Sequence, residues 1–255
     1  MIPASQRARN ATGRGALPIE RCFLAVGLLM VVSGCGSFAA RGYNADGVRS
    51  FQQSQYQLAL TQFGKAIHED PADPDGYYNL AATYHRIGKI SKHQTDLDQA
   101  ESFYNQCLDH DPEHRDCYRG LAVLLVEENR TQEAFRLIEG WAARQPPSAD
   151  ARIELARLNE EFGDKKSAQD HLVEALTIDP NNARALAALG KVREELGQRA
   201  QAVANYQRSL YLNPFQPELA AHVAALQQTD PSVAAIAPSQ DDSLRTVNRD
   251  SLQRR

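Results

Sequence analysis

Chemistry in this chain would have to come from cysteine or histidine, and their spacing assigns a role to one residue. There are 4 cysteines and 7 histidines in 255 residues. Cys35 directly follows Val32-Ser33-Gly34, which ends an apolar run that begins at Cys22. A thiol there is a nucleophile for lipid attachment, and small residues before it fit a narrow peptidase cleft. Cys107 and Cys117 flank a helix junction. Cys107 falls at a small-residue core position, so two buried thiols are expected, with a disulfide as the alternative in an oxidising compartment. Spacing alone leaves the pairing open, because it needs the Cα separation. His110 and His114 have the i, i+4 spacing of a helical metal pair, but Pro112 between them breaks the helix. Cys-x-x-Cys, His-Glu-x-x-His and glycine-rich phosphate-loop patterns do not occur. The reading is therefore no catalytic residue, no metal and no cofactor.

The elements around Cys35 explain its setting. Residues 1–21 are polar and carry Arg7, Arg9, Arg14 and Arg21. The apolar run spans 11 residues, whereas a membrane-spanning helix needs about 20, so it fits a signal-peptide core. Residues 1–35 resemble the bacterial lipoprotein signal: an aliphatic residue, two small residues and cysteine. The resemblance implies lipid transfer to Cys35, cleavage before it and acylation of the new amine, with the chain anchored in the cell envelope on the periplasmic side. Gly36 in place of aspartate points to the outer membrane where the organism has one. The alternatives are an uncleaved anchor or an ordinary secretory signal. The expected organisation is a signal peptide over 1–34 and a lipidated tether over 35–39, with the folded part close to the membrane.

Beyond the tether the chain repeats itself. Ala100, Ala134, Ala168 and Ala202 lie 34 residues apart, and Pro112, Pro146, Pro180 and Pro214 each follow 12 residues later. A fifth pair, Ala59 and Pro71, keeps the offset. Such a period means stacked helical hairpins. Numbered with the proline at position 32, position 7 holds Asp46, Leu80, Leu121, Leu155 and Leu189, and position 8 holds Gly47, Ala81, Ala122, Ala156 and Gly190. Bulky residues at 4 and 7 share a helical face, and a small residue at 8 lets helices approach. Position 15 holds Ser54, Gly88, Asn129, Gly163 and Gly197, types that tolerate a left-handed turn. Repeat two carries seven extra residues between Gly88 and Ala100. A protruding loop over Lys89 to Gln94, with Thr95 capping the next helix, is the expected outcome.

These residues resemble the tetratricopeptide repeat family over Ala40 to about Gln228. The family signature places bulky, leucine and small residues at 4, 7 and 8, then alanine at 20, an aromatic at 24, a small residue at 27 and proline at 32. Arg152 departs from it at position 4, Asp46 at 7 and Trp141 at 27. The resemblance implies an all-α, right-handed α-solenoid of five helical hairpins with a C-terminal capping helix. The repeats would cover 40–73, 74–114, 115–148, 149–182 and 183–216, with the cap at 217–228 facing Leu219, Val223 and Leu226 inward. Residues 229–255 lose apolar periodicity and read as a disordered tail.

The family binds partners on the concave face of each first helix. Carried onto this chain, that groove includes Asn44, Tyr78, His85, Arg86, Arg119, Val123, Arg157, Arg184 and Lys191. Arg86, Arg119, Arg157, Arg184 and Lys191 form a candidate basic ladder flanked by acids, while Asp75, Asp116 and Asp150 at position 2 read as helix caps. Chaperone-binding members clamp a C-terminal carboxylate. Asn79 matches one clamp place, but Asn44, Val48, Asp116 and Gly120 do not match the rest, which excludes that specialisation. The net charge is −4, and without the arginine-rich N-terminus the remainder is more acidic, against the basic stripe that nucleic-acid binding needs. The expected function is a non-enzymatic, lipid-anchored scaffold holding a protein or an extended peptide. A small-ligand receptor, an accessory enzyme subunit or a self-assembling scaffold are the alternatives.

Overall fold

The computed structural model describes residues 37–229. The signal peptide expected over 1–34, Cys35, Gly36 and the tail from 230 onward lie outside them. The described residues form eleven helices joined by short turns, with no strand among them. Helix α1 covers residues 37–52, followed by α2 (Tyr56–Glu69), α3 (Pro74–Ser91), α4 (Gln94–His110), α5 (Arg115–Glu127) and α6 (Thr131–Arg144). Then come α7 (Ala149–Glu161), α8 (Lys165–Ile178), α9 (Ala183–Glu195), α10 (Arg199–Leu212) and α11 (Pro217–Thr229). Consecutive helices pair as hairpins, and the hairpins stack in chain order. Successive first helices α3, α5, α7 and α9 touch one another, whereas successive second helices do not. The first helices therefore form the inner layer of an α-solenoid.

The repeat signature has a direct packing origin. Ala59, Ala100, Ala134, Ala168 and Ala202 are all fully buried. A Cβ on Gly47 would lie 2.4 Å from the Phe63 ring, and one on Gly190 would lie 2.4 Å from the Tyr206 ring. Small residues at position 8 thus make room for the aromatic at 24. The hydroxyls of Tyr77 and Tyr118 donate to the carbonyls of Pro71 and Pro112 at 3.0 and 3.2 Å, tying position 4 to the closing proline of the preceding repeat. Where Arg152 replaces that aromatic, its guanidinium reaches Glu174 on α8 at 3.3 Å instead. Trp141 is buried and stacks on Tyr118 with centroids 4.3 Å apart.

Three local expectations are corrected. The insert in repeat two is not a protruding loop: α3 runs on to Ser91 and α4 starts at Gln94. The left-handed residue moves from position 15 to Lys92, with φ 61°, while Ser54, Asn129, Gly163 and Gly197 keep the expected turn register. Gly88 sits inside the helix, and a Cβ there would lie 2.5 Å from Leu97, so its lack of a side chain serves close helix approach. His93, not Thr95, is the N-cap of α4. The position-2 aspartates are not the caps. Asp73, His114, Ser148 and Asn182 accept from backbone N–H groups at the starts of α3, α5, α7 and α9. Finally, Cys107 and Cys117 are joined as a disulfide with Cα atoms 6.5 Å apart, rather than remaining two buried thiols. It links the end of α4 to the start of α5.

Helix α11 packs on α10 through Val223, with Leu219 and Leu226 partly buried beside it. Its start lies one repeat length after Ala183, so it occupies the place of a further first helix.

Candidate binding groove

The inner layer divides into an apolar part on repeats two and three and a charged part on repeats three to five. On α3, Tyr78 is half-buried, stacking on His114 at 5.6 Å and tilting against Tyr104 at 6.3 Å. Ala82 and Val123 are likewise half-buried. Asn44 donates to Asp73 at 3.3 Å and accepts from Asn79 at 3.4 Å, so it joins α1 to α3. His85 is buried, with Nε2 2.9 Å from Glu127 and Nδ1 3.5 Å from the Tyr104 hydroxyl. Lys89 donates to the other Glu127 oxygen at 2.6 Å. Burial acts to raise the Glu127 carboxyl, but the hydrogen bonds from Lys89 and His85 outweigh it and hold the group below its usual range.

The arginines expected to line the groove are committed to one carboxylate. Glu154 on α7 is fully buried. Arg119 from α5 donates to it twice, at 3.2 and 2.8 Å. Arg157 donates at 3.1 Å, and Arg184 from α9 at 3.2 Å. Arg184 also pairs with Asp150, Arg157 with Glu161 at 3.0 Å, and Lys191 with Glu160. The bidentate hydrogen bond that Arg119 donates to Glu154 raises the guanidinium above its usual value. Burial pushes that of Arg184 down, although Glu154 and Asp150 oppose it. A hydrogen bond from Arg115 holds Asp116 low. Position-2 aspartates therefore take basic side chains as partners: Asp75 accepts from His114 at 3.0 Å, while Asp116 pairs with Arg115 at 3.0 Å and Asp150 with Arg184.

The structure thus brings Arg119, Arg157 and Arg184 together, with Lys191 one pair further along. It does not bring Arg86 to them. Arg86 is exposed and donates to the Tyr56 hydroxyl at 3.3 Å, at the hairpin tips. Sequence reasoning missed Glu154, which sits at position 6, between the groove positions it consulted. The available signal was an acid on the inward-facing side of α7, one turn from Arg157 and with arginines on both adjoining first helices. The extended hairpin of repeat two also builds two open clefts at the tips. One, about 620 Å³, is lined by Tyr56, Leu58, Ile87 and Ile90; the other, about 470 Å³, by His85, Lys89, Leu97 and Glu127.

Sequence models of the tetratricopeptide repeat match residues 47–88, 93–158, 149–182 and 183–216. The chain belongs to the tetratricopeptide repeat family. Human protein O-mannosyl-transferase TMTC3 is 25% identical over 222 residues, covering 84% of this chain and 24% of that protein. Cellulose synthase operon protein C of Pseudomonas fluorescens is 29% identical over 150 residues, covering 55% of this chain and 12% of that one. This tetratricopeptide repeat protein therefore spans a quarter or less of the length of either. Among solved structures, TTC0263, a thermophilic TPR protein of Thermus thermophilus, is 22% identical, with a TM-score of 0.55 over 74% of this chain and 98% of that one. That likeness shows the fold. As a tetratricopeptide repeat protein, this one has the build of a protein-interaction scaffold.

Proposed function

We propose that the protein is a non-enzymatic scaffold, lipid-anchored through Cys35 in the bacterial cell envelope, which holds an extended peptide segment of a partner protein along its inner layer. The observation that carries the reading is the row of first helices α3, α5, α7 and α9, which presents Tyr78, Ala82 and Val123 half-buried beside a charged stretch. An extended segment meets successive helices one after another. Apolar side chains of that segment seat against Tyr78 and Val123, where no ion pair has to be broken. Arg119, Arg157, Arg184 and Lys191 already have internal partners, so they set the sign pattern at the edge of the site and act as positioned dipolar contacts. Nucleic acid is not the expected ligand, because the inner cations are balanced by acids of the same inner layer, mostly on the adjoining helix.

Photoreactive residues at Tyr78 and Val123, with a control at exposed Glu139 on α6, test the groove. Capture of the same partner protein from both inner positions and not from Glu139 supports the reading; capture of lipid alone ends it. Cys35→Ser tests the anchor separately. The variant should lose acylation and move to the soluble fraction, and unchanged fractionation points to an uncleaved anchor.

A further inference from the structure

The turn between repeats two and three holds more than a crosslink. The two sulfurs of Cys107 and Cys117 and one ring nitrogen of His114 lie within 4.8 Å of one another. Both cysteines are fully buried, and the His114 side chain is 12% exposed. The imidazole is held from two sides. Nδ1 accepts from the Cys117 backbone N–H at 3.2 Å, so it is the unprotonated nitrogen. Nε2 therefore carries the hydrogen, which it donates to Asp75 at 3.0 Å. A carboxylate behind a histidine fixes the tautomer and raises the basicity of the other nitrogen, as in metal sites where the carboxylate supports the ligand from outside. The Nδ1 lone pair lies beside Cys117 and is held by that residue's N–H, so a cation must displace this one hydrogen bond to bind there. Tyr78 stacks against the same ring and limits its rotation. Cys117 occupies the first turn of α5, where the helix N-terminus favours a thiolate.

We propose that the dithiol form of this protein binds one divalent cation of the zinc class through Cys107 Sγ, Cys117 Sγ and His114 Nδ1, with Asp75 orienting the histidine and a water completing a tetrahedron. Two thiolates and an imidazole are the donor set that a borderline-soft cation prefers over hard-cation oxygen sites. The disulfide and the metal exclude each other. A thiol or phosphine reductant takes the disulfide to two thiols and is itself oxidised by the same two electrons. The cation then displaces one proton from each thiol, so metal binding releases two protons. In zinc–thiolate geometry each Zn–S bond is about 2.3 Å, so the sulfurs need only separate to about 3.8 Å, a movement within the reach of side-chain rotation.

The test uses the full chain, reduced with a phosphine under anaerobic conditions and freed of reductant, with cobalt(II) as the optical probe. One equivalent of cobalt should give thiolate-to-metal charge-transfer absorption and tetrahedral visible bands, and zinc should displace it. Oxidised wild-type protein, which is folded, should show neither signal. Cys107→Ser and Cys117→Ser should abolish the charge-transfer signal. Asp75→Ala should weaken binding about 10- to 100-fold while leaving the spectrum tetrahedral, a readout that a merely structural role for Asp75 would not give. Circular dichroism of each variant establishes that it retains helix. Reduced protein with only octahedral cobalt bands, equal binding by Cys107→Ser, or thiols that neither reductant nor metal can reach in the folded chain would each overturn the proposal.

Discussion

Between α4 and α5 two repeats are joined by the Cys107–Cys117 disulfide, and Tyr78 of α3 stacks on His114, the N-cap of α5. Between α5, α7 and α9 the inner layer is joined instead by charge, with Arg119, Arg157 and Arg184 converging on Glu154. The first junction ties the outer layer to the inner one and the second runs within the inner layer, and one relies on covalent and aromatic contact where the other relies on a buried carboxylate. The difference shows that the 34-residue period fixes where helices meet, while the chemistry of each meeting is free to vary. It also means that the two regions should respond to different perturbations.

Glu154→Gln should have the largest effect. It leaves three guanidinium groups around a neutral amide, and losing one member of a buried ion-pair set costs about 3–5 kcal/mol. Because the arginine side chains are 29–40% exposed, the lower end, about 3 kcal/mol, is expected. Urea unfolding would measure it; a loss under 1 kcal/mol would mean that water screens the cluster. Reducing the disulfide should come next, at about 2–3 kcal/mol for so short a loop. Hydrogen exchange should show the loosening confined to α4 and α5. In about 1 M salt, where screening acts over about 3 Å, protection should fall in α5, α7 and α9, which share the Glu154 cluster, and hold in α4. Equal losses in both regions would dissolve the comparison.

Gly190→Ala tests packing shared by neither junction. Its new Cβ meets the Tyr206 ring, and overpacking of this kind costs about 1–3 kcal/mol. The smallest effect concerns pH. Glu127 titrates below its usual range when folded, so its pairing with Lys89 and His85 stabilises the fold above the ordinary carboxylate pKa. That contribution fades as pH falls through the lowered value. Glu127→Gln should flatten this acid-side dependence by under about 1 kcal/mol. An unchanged acid limb would show that other carboxylates govern it.

The stacked hairpins were legible because the alanines at position 20 and the prolines at 32 each follow from one steric demand that repeats. Turn residues were legible for the same reason in four repeats. Repeat two defeated that logic: Gly88 has the residue type of a turn, but it serves packing against Leu97, and only the third dimension separates the two uses. The arginines of the groove were visible, but their engagement was not. Glu154 reads as one acid among many until neighbouring helices bring Arg119 and Arg184 over it. The disulfide stayed open for a related reason, because proximity across a turn depends on how α4 ends and α5 begins.

Neighbour-only contact makes a solenoid behave like an articulated spring, whose curvature is set junction by junction. Here the link between α4 and α5 is welded by sulfur, so bending must be shared among the others. A guest lying along the inside would find a stiff middle and more compliant ends. Adjustment to its shape would then begin at the extremities and leave the centre as the fixed reference.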